Sequence, residues 1–369
     1  MDLALYHPAF GYYARAARRS GRAGDFFTSV DVGPLFGELL EVQIAEMAGI
    51  LRATDDSIRA EDDRRPFDLV EAGAGNGRLS ADILRAARRR DPGLYNFLSV
   101  HLVEASAEAR RDQPASLADV APRLASSSDT LPTAFEGVLV ANELLDAFPV
   151  HQVVMRDSGL RETYVERSFQ DRRGDTEEIG LETLEAEPST PALAAYLDRL
   201  GVTLEPGWRV EINLRALDWI SDAARRLTRG FIIIIDYGHE AAELYSPTHS
   251  AGTLTTYASH RSSGPESLTP SWLQRPGEQD ITSHVDFTSV RVAAEAAGLT
   301  TVGFLDQTYF LLGLLNAAGI RTFDELKDRL ALKTLLMPGG LGSTHKVMIF
   351  SKNVEASALQ GLSFAVRVT

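Results

Sequence analysis

The 369-residue chain has no cysteine and only four lysines (Lys327, Lys333, Lys346 and Lys352) among 37 basic residues. Without thiols there can be no disulfide, no thiolate nucleophile and no cysteine-built zinc site, and the composition suits a reducing compartment. No apolar run reaches the ~18 residues that a membrane helix needs, and "MDLALYHPAFGYY" lacks the charged, apolar and cleavage regions of a signal peptide. A cytoplasmic protein without membrane insertion is expected. Acidic residues number 51, giving a net charge of −14, and no basic stripe extends beyond clusters such as "RAARRR". The charge argues against a nucleic-acid groove. The near-absence of lysine reads as genomic bias in a bacterial chain.

What is present is alternation. Phe36, Leu40, Ile44 and Met47 recur at helical spacing within the first 50 residues, and the charged linker "ATDDSIRAEDDRRP" follows. From Phe67 the pattern becomes strand, helix, strand: "FDLVEA", a helix over Leu79 to Arg90, then "LSVHLVE". "FEGVLVANELLDAFPV" and "FIIIIDYGH" supply two further strands, the latter with four isoleucines that imply burial on both faces. "QVVMRDSGLRETYVE" reads as a hairpin around Asp157, Ser158 and Gly159, and "HKVMIFSK" as a late strand. The spacing predicts an α/β fold with a mostly parallel, Rossmann-like sheet. An N-terminal helical segment spans 1–65, a core 66–240 plus 341–352, and a substrate-covering insertion, richer in Gly, Pro, Ser and Thr, 241–340.

The stretch "DLVEAGAGNGRLS" decides between two cofactors. A dinucleotide site uses G-x-G-x-x-G with pyrophosphate on the helix N-terminus. Here Gly73, Gly75 and Gly77 stand on alternate positions, and Glu71 precedes them, where a carboxylate would oppose phosphate and favour a cation. S-adenosylmethionine, with a sulfonium, an ammonium and no phosphate, fits; its methionine part can lie against glycine backbone where no Cβ intervenes. Glu104, ending the second strand, is placed for the ribose hydroxyls. A plain strand-to-helix turn is the alternative reading of the three glycines.

The motifs "GYY", "GDFFTS", "FGELLE", "VEAGAGNG", "ANELLDAFPVH", "IIIIDYGH" and "PGEQDITSHVDF" occur in this order. With them the chain resembles the MidA-like family of S-adenosylmethionine-dependent protein arginine methyltransferases, which includes a mitochondrial complex I assembly factor. The likeness runs from about Leu5 to Lys352. It implies a class I methyltransferase fold, S-adenosyl-L-methionine as cofactor, and a protein partner bearing an arginine, a subunit of respiratory complex I. The family carries a further helix before "LYHPAFGYY", so the start here is short or truncated. After "GDFFTS" this chain has Val30, Asp31, Val32 and Gly33 where the family shows Pro-Glu, while Asp25 and Thr28 match.

A guanidinium is a poor nucleophile with a pKa above ~12, so a methyl-transfer site must orient and polarise it with carboxylates that match its planar fork. Glu143, Asp146 and Asp236, at the carboxyl ends of buried strands, are the catalytic candidates. Asn142 could hold the cofactor's amino end or the guanidinium. Asp236 has a turn cap as its structural alternative, Tyr237 a packed aromatic, and His239 a loop histidine; Tyr237 and His239 are otherwise substrate contacts. Asp280 and Thr282 are expected to fix the loop over the substrate, and Asp129 could reach the adenine or merely form a turn. His284 and Asp286 are metal-ligand types, but two groups without a third make no site. Asp286 fits better as the N-cap of a helix holding Phe287, Val290, Ala294 and Ala297. No metal is expected. A small-molecule methyltransferase and a non-catalytic assembly chaperone remain alternatives, as do monomer and homodimer.

Overall fold

The computed structural model describes residues 1–15, 28–53, 67–170, 178–258, 261–263, 270–320, 323, 325–337, 341–355 and 358–364. The linker before Phe67 and Asp25 lie outside them. Strands β1 (Phe67–Ala72), β2 (Leu98–Val103), β3 (Leu124–Ser128) and β4 (Phe135–Asn142) are laid down in turn. The chain then leaves for β5 (His151–Arg156), β6 (Gly159–Gln170), β7 (Glu178–Ala186) and β8 (Arg209–Ile212), and returns as β9 (Leu227–His239). Six short or late strands follow: β10 (Thr255–Ala258), β11 (Arg261–Ser263), β12 (Asp280–Thr282), β13 (Val285–Asp286), β14 (Thr300–Asp306) and β15 (His345–Lys352).

The main sheet runs β14-β15-β9-β4-β1-β2-β3, with β13 also pairing to β9. Strands β3, β2, β1, β4 and β9 are mutually parallel, and β15 enters antiparallel between β9 and β14. The isoleucine run shows why the sheet is two-sided. Alternate residues of a strand point to opposite faces. Ile233 and Ile235 join the core under the helices Leu35–Ala53, Arg78–Arg90 and Gln307–Ala317. Ile232 and Ile234 join the opposite core, under Leu214–Arg226 and Phe287–Ala296. All four are fully buried, each stabilising the fold by roughly 1.5–3 kcal/mol. Gly137 and Gly230 are register partners on β4 and β9, and a Cβ on Gly137 would lie 2.2 Å from the Asp68 carbonyl oxygen.

The boundaries differ from expectation in three places. The helix Leu35–Ala53, expected in a separate N-terminal segment, packs on the face of the main sheet through Phe36, Leu40, Ile44 and Met47. Residues 285–306 belong to the main sheet and its helical layer, because β13 pairs with β9 and β14 with β15. The hairpin around Gly159 is the centre of a four-stranded antiparallel sheet, β7-β6-β5-β8, with its own core around Tyr196, Val210 and Ile212. Its β7 half carries exposed Glu182 and Glu185, so it lacks the apolar alternation that marks a strand in sequence. No helix among the described residues is long and apolar enough to cross a membrane.

The start of the chain folds across the carboxyl edge of the sheet. Leu5 and Tyr12 pack with Leu254 and Ile281, Tyr6 Oη donates to the Ala147 carbonyl at 3.1 Å, and Tyr13 Oη donates to Asp280 Oδ1 at 2.9 Å.

Candidate active site

Strands β1, β4 and β9 are neighbours, so the segments following Ala72, Asn142 and Ile235 open side by side at the carboxyl edge, where ligands of open α/β sheets bind. A cavity of about 1020 Å³ lies there, at the upper end of the ligand-site range and roomy enough for cofactor and acceptor together. Of the residues expected from sequence, Glu71, Gly73, Gly75, Glu104, Asp129, Asn142, Glu143, Asp146, Tyr237, His239, Asp280 and Thr282 line it. Gly77 and Asp236 do not.

In the glycine loop the N–H groups of Gly73, Ala74, Gly75 and Gly77 are all taken up within the chain. Gly73 and Ala74 donate their N–H groups to the Val103 carbonyl at 2.9 and 3.1 Å, and Gly77 donates to Ala74 at 2.7 Å. Gly75 N–H goes to Glu104 Oε2 at 2.8 Å. A pyrophosphate cradle needs such groups free, so this loop is not one. It offers Cα and carbonyl surface instead, at positive φ: 74° for Gly73 and 49° for Gly75. Gly77, also at positive φ, N-caps the helix Arg78–Arg90 behind the cavity. A Cβ there would meet Leu102 Cδ1 at 2.9 Å. Its role is close packing of helix on strand, a correction to its place among cofactor contacts.

Glu104 is clamped between two segments, Oε2 on Gly75 N–H and Oε1 on Ser106 N–H at 2.7 Å. Each oxygen keeps a second lone pair for a hydroxyl donor. Glu71 turns its Oε2 to Ser80, accepting from N at 3.1 Å and from Oγ at 2.5 Å. Burial pushes its carboxyl up to about 7, against the pull of the Ser80 bonds. It therefore anchors the first helical turn as well as lining the cavity.

After β4 the backbone turns sharply. Glu143 has φ 49°, a left-handed conformation costly for a non-glycine residue and typical of functional sites. It accepts from Ser29 N–H at 3.2 Å and stands 3.6 Å from His345 Nε2. Asn142 lines the cavity, and its Oδ1 is buried with no hydrogen-bond partner among the described residues. Asp236 lies underneath. Its Oδ2 accepts from the N–H groups of Leu144, Leu145 and Asp146 at 3.1, 2.8 and 3.4 Å, and its Oδ1 from Tyr237 N–H at 2.9 Å. Both oxygens are occupied by backbone. Asp236 is thus the turn cap that holds the 144–146 loop, set behind the cavity wall.

Asp146 forms part of the cavity wall and is itself buried. Tyr237 Oη donates to its Oδ2, while Oδ1 has no partner among the described residues. Burial and the neighbouring Asp236 charge push its carboxyl well above the usual range, with Tyr237 pulling the other way. Tyr6, Tyr13, Tyr257 and His345 also line the cavity and escape the sequence reading; Tyr6 and Tyr13 sit in a motif, "YHPAFGYY", that pointed to no chemistry by residue type. Asp286 caps its helix as expected, accepting from Thr288 and Ser289 N–H.

Comparison with known proteins agrees with this geometry. Residues 50–305 match the family described as "Putative S-adenosyl-L-methionine-dependent methyltransferase". A Burkholderia thailandensis protein described as a "likely methyl transferase" and solved with bound S-adenosyl-homocysteine superposes with a TM-score of 0.82 at 28% identity, over 98% of this chain and 89% of that one. The human mitochondrial protein arginine methyltransferase NDUFAF7 is 28% identical over 92% of this chain and 74% of its own. Its Drosophila melanogaster homolog is 27% identical over 96% and 81%. The phosphate-free glycine loop, the clamped Glu104 and the orphaned Asn142 oxygen fit the cofactor that these comparisons name. The chain belongs to this family and is an S-adenosylmethionine-dependent methyltransferase of the class I fold.

Proposed function

We propose that the chain methylates an arginine side chain of a partner protein, with a respiratory complex I subunit, met in the cytoplasm, as the partner that the family resemblance offers. One observation carries the reading: the unpartnered, buried Asp146 Oδ1 in a cavity wall that also presents Glu143 and Asp280. A buried carboxylate left unpaired is costly, and a guanidinium is the fork-shaped cation that two carboxylates hold best. The names of the curated relatives support the same acceptor.

In this reading Gly73 and Gly75 receive the methionine part of the cofactor, Asn142 Oδ1 its ammonium, and Glu104 its ribose. S-adenosylmethionine, when bound, would supply an electrophilic methyl group and leave as S-adenosyl-homocysteine once its sulfur–methyl bond breaks. Glu143 and Asp146 orient the guanidinium, and Asp146 takes the proton that the nitrogen loses on forming its new N–C bond. Tyr237 and Asp236 position Asp146, and Tyr6, Tyr13 and Tyr257 exclude water.

Replacing Asp146 by Asn tests the assignment, since shape is kept and charge is lost. S-adenosyl-homocysteine affinity should stay within about twofold, while turnover falls roughly 10²-fold or more. Acceptor class is read by incubating the protein with methyl-labelled cofactor and lysate. Label in arginine of a protein band supports the proposal, and label confined to metabolites overturns it in favour of a small-molecule acceptor. No transfer at all, with cofactor still bound, would indicate an assembly chaperone.

A further inference from the structure

Beyond methyl transfer, three histidines from separate segments meet at the acceptor end of the cavity: His239 at the end of β9, His249 in the 3₁₀ turn Pro247–His249, and His284 between β12 and β13. One nitrogen from each lies within 4.8 Å of the other two. The ring centroids are 4.8 Å apart for His239 and His249, 5.3 Å for His239 and His284, and 5.9 Å for His249 and His284. Tetrahedral ligation at a Zn–N distance of ~2.0–2.1 Å needs the three nitrogens closer than this limit, a small side-chain adjustment.

We infer that His239, His249 and His284 form a binding site for one divalent first-row transition-metal ion, with a coordination position left open toward the cavity. Three observations carry it. Neutral imidazole suits zinc, cobalt, nickel and iron, and three histidines are a complete protein ligand set for a site with an open fourth position. The Nδ1 atoms of His239 and His284 are buried without a hydrogen-bond partner among the described residues; His239 Nδ1 has only the exposed Glu243 carboxylate beside it, at 3.1 Å. A satisfied histidine cluster would not leave two such atoms. His249 Nδ1 faces the Glu243 carbonyl oxygen at 3.1 Å, so Nδ1 carries the proton and Nε2 is free. That outer contact is the one metal-bound histidines characteristically make.

The open position follows from placement, since His239 and His284 line the cavity and His284 stacks edge-on against Tyr237 at 5.7 Å. Asp286, the other ligand type in "SHVDF", is spent on its helix cap, so His249, 35 residues earlier in the chain than His284, is the third ligand. A bound ion ties the end of β9, the 247–249 turn and the β12–β13 loop together beside the methyl acceptor.

The experiment is equilibrium dialysis of the chelator-stripped full chain against Zn²⁺ or Co²⁺, with bound metal measured by elemental analysis and Co²⁺ ligation by its visible absorption. One tightly held ion per chain is expected, with a rise in melting temperature of ~3 °C at about 100 times Kd. His249→Ala and His284→Ala should each weaken binding at least tenfold and remove the Co²⁺ band, while still binding S-adenosyl-homocysteine as a check of folding. His101→Ala, outside the cluster, should leave metal binding unchanged. Substoichiometric metal on the wild-type chain overturns the inference whatever the variants do, and so does metal retained equally by the His249 and His284 variants.

Discussion

Replacing Glu71 by glutamine gives the sharpest reading of how burial and charge are balanced at the cofactor loop. Glu71 is buried behind the glycines and its carboxyl is raised from 4.5 to about 7, chiefly by desolvation. Each pH unit of such a difference corresponds to ~1.36 kcal/mol, so the whole difference is about 3 kcal/mol. Below pH 4.5 both folded and unfolded chains hold the proton, and Glu71 contributes no pH dependence. Between 4.5 and about 7 the folded chain retains a proton that the unfolded chain has released, so stability falls as pH rises; above about 7 the full loss is present. In Glu71→Gln the amide keeps an acceptor for Ser80 N–H and Oγ but cannot ionise. The difference in unfolding free energy between variant and wild type should therefore grow in the variant's favour by about 2.5 kcal/mol from roughly pH 5 to pH 8. Urea unfolding at matched pH values measures it. A binding cation should also expel the proton, so S-adenosylmethionine binding at about pH 7, measured by calorimetry in buffers of different ionisation heat, should show proton release that the variant lacks. Parallel stability profiles for the two proteins would refute the argument, because Glu71 would then be ionised throughout and held by Ser80 alone.

Further outcomes follow from the same geometry. Glu104→Ala should weaken S-adenosyl-homocysteine binding about 10- to 100-fold by calorimetry, since charge-assisted bonds of ~1.5–3 kcal/mol are lost together with the clamp on Gly75. Tyr237→Phe removes the donor that favours the ionised form of Asp146, so the rise of turnover with pH should move upward by about one pH unit, with cofactor affinity unchanged. Gly137→Ala should cost more than about 3 kcal/mol in urea unfolding because its Cβ has no room and its φ is 147°, whereas Gly49→Ala, within the helix Leu35–Ala53 and facing open space, should stabilise by up to ~1 kcal/mol.

Burial patterns made the main sheet legible. "FIIIIDYGH" and "FEGVLVANE" announce strands covered on both faces, and the cofactor loop lies between a strand and a helix because Gly73, Gly75 and Gly77 supply the positive φ angles there. What sequence could not resolve was direction. Asp236 and Asp146 are both acidic residues near strand ends, yet one is held by four backbone N–H groups and the other forms part of the cavity wall. That difference is set by the left-handed turn at Glu143, which residue type does not signal. Long-range meetings were hidden for another reason. His249 lies in a Ser/Thr/Gly-rich stretch without periodicity, and only the fold brings it beside His239 and His284. The β7 edge was missed because its solvated glutamates erase alternation.

The tyrosines at the start of the chain have a bearing on the order in which the protein can form. Tyr6 waits for a partner 141 residues downstream and Tyr13 for one 267 residues downstream, while Gln43 in the first long helix accepts a bond from Gly361, 318 residues away. The glycine loop and its partners on β2 and β4 lie within residues 67–142. A nascent chain emerging at ~5–20 residues per second therefore exposes the glycine loop and Glu104 long before Asp280 exists to receive Tyr13. Contacts of such separation close slowly, because the loop entropy is spent before they form. The Tyr13–Asp280 side of the cavity therefore closes after the glycine loop has been made, and a chain interrupted before Asp280 would carry the loop without that wall.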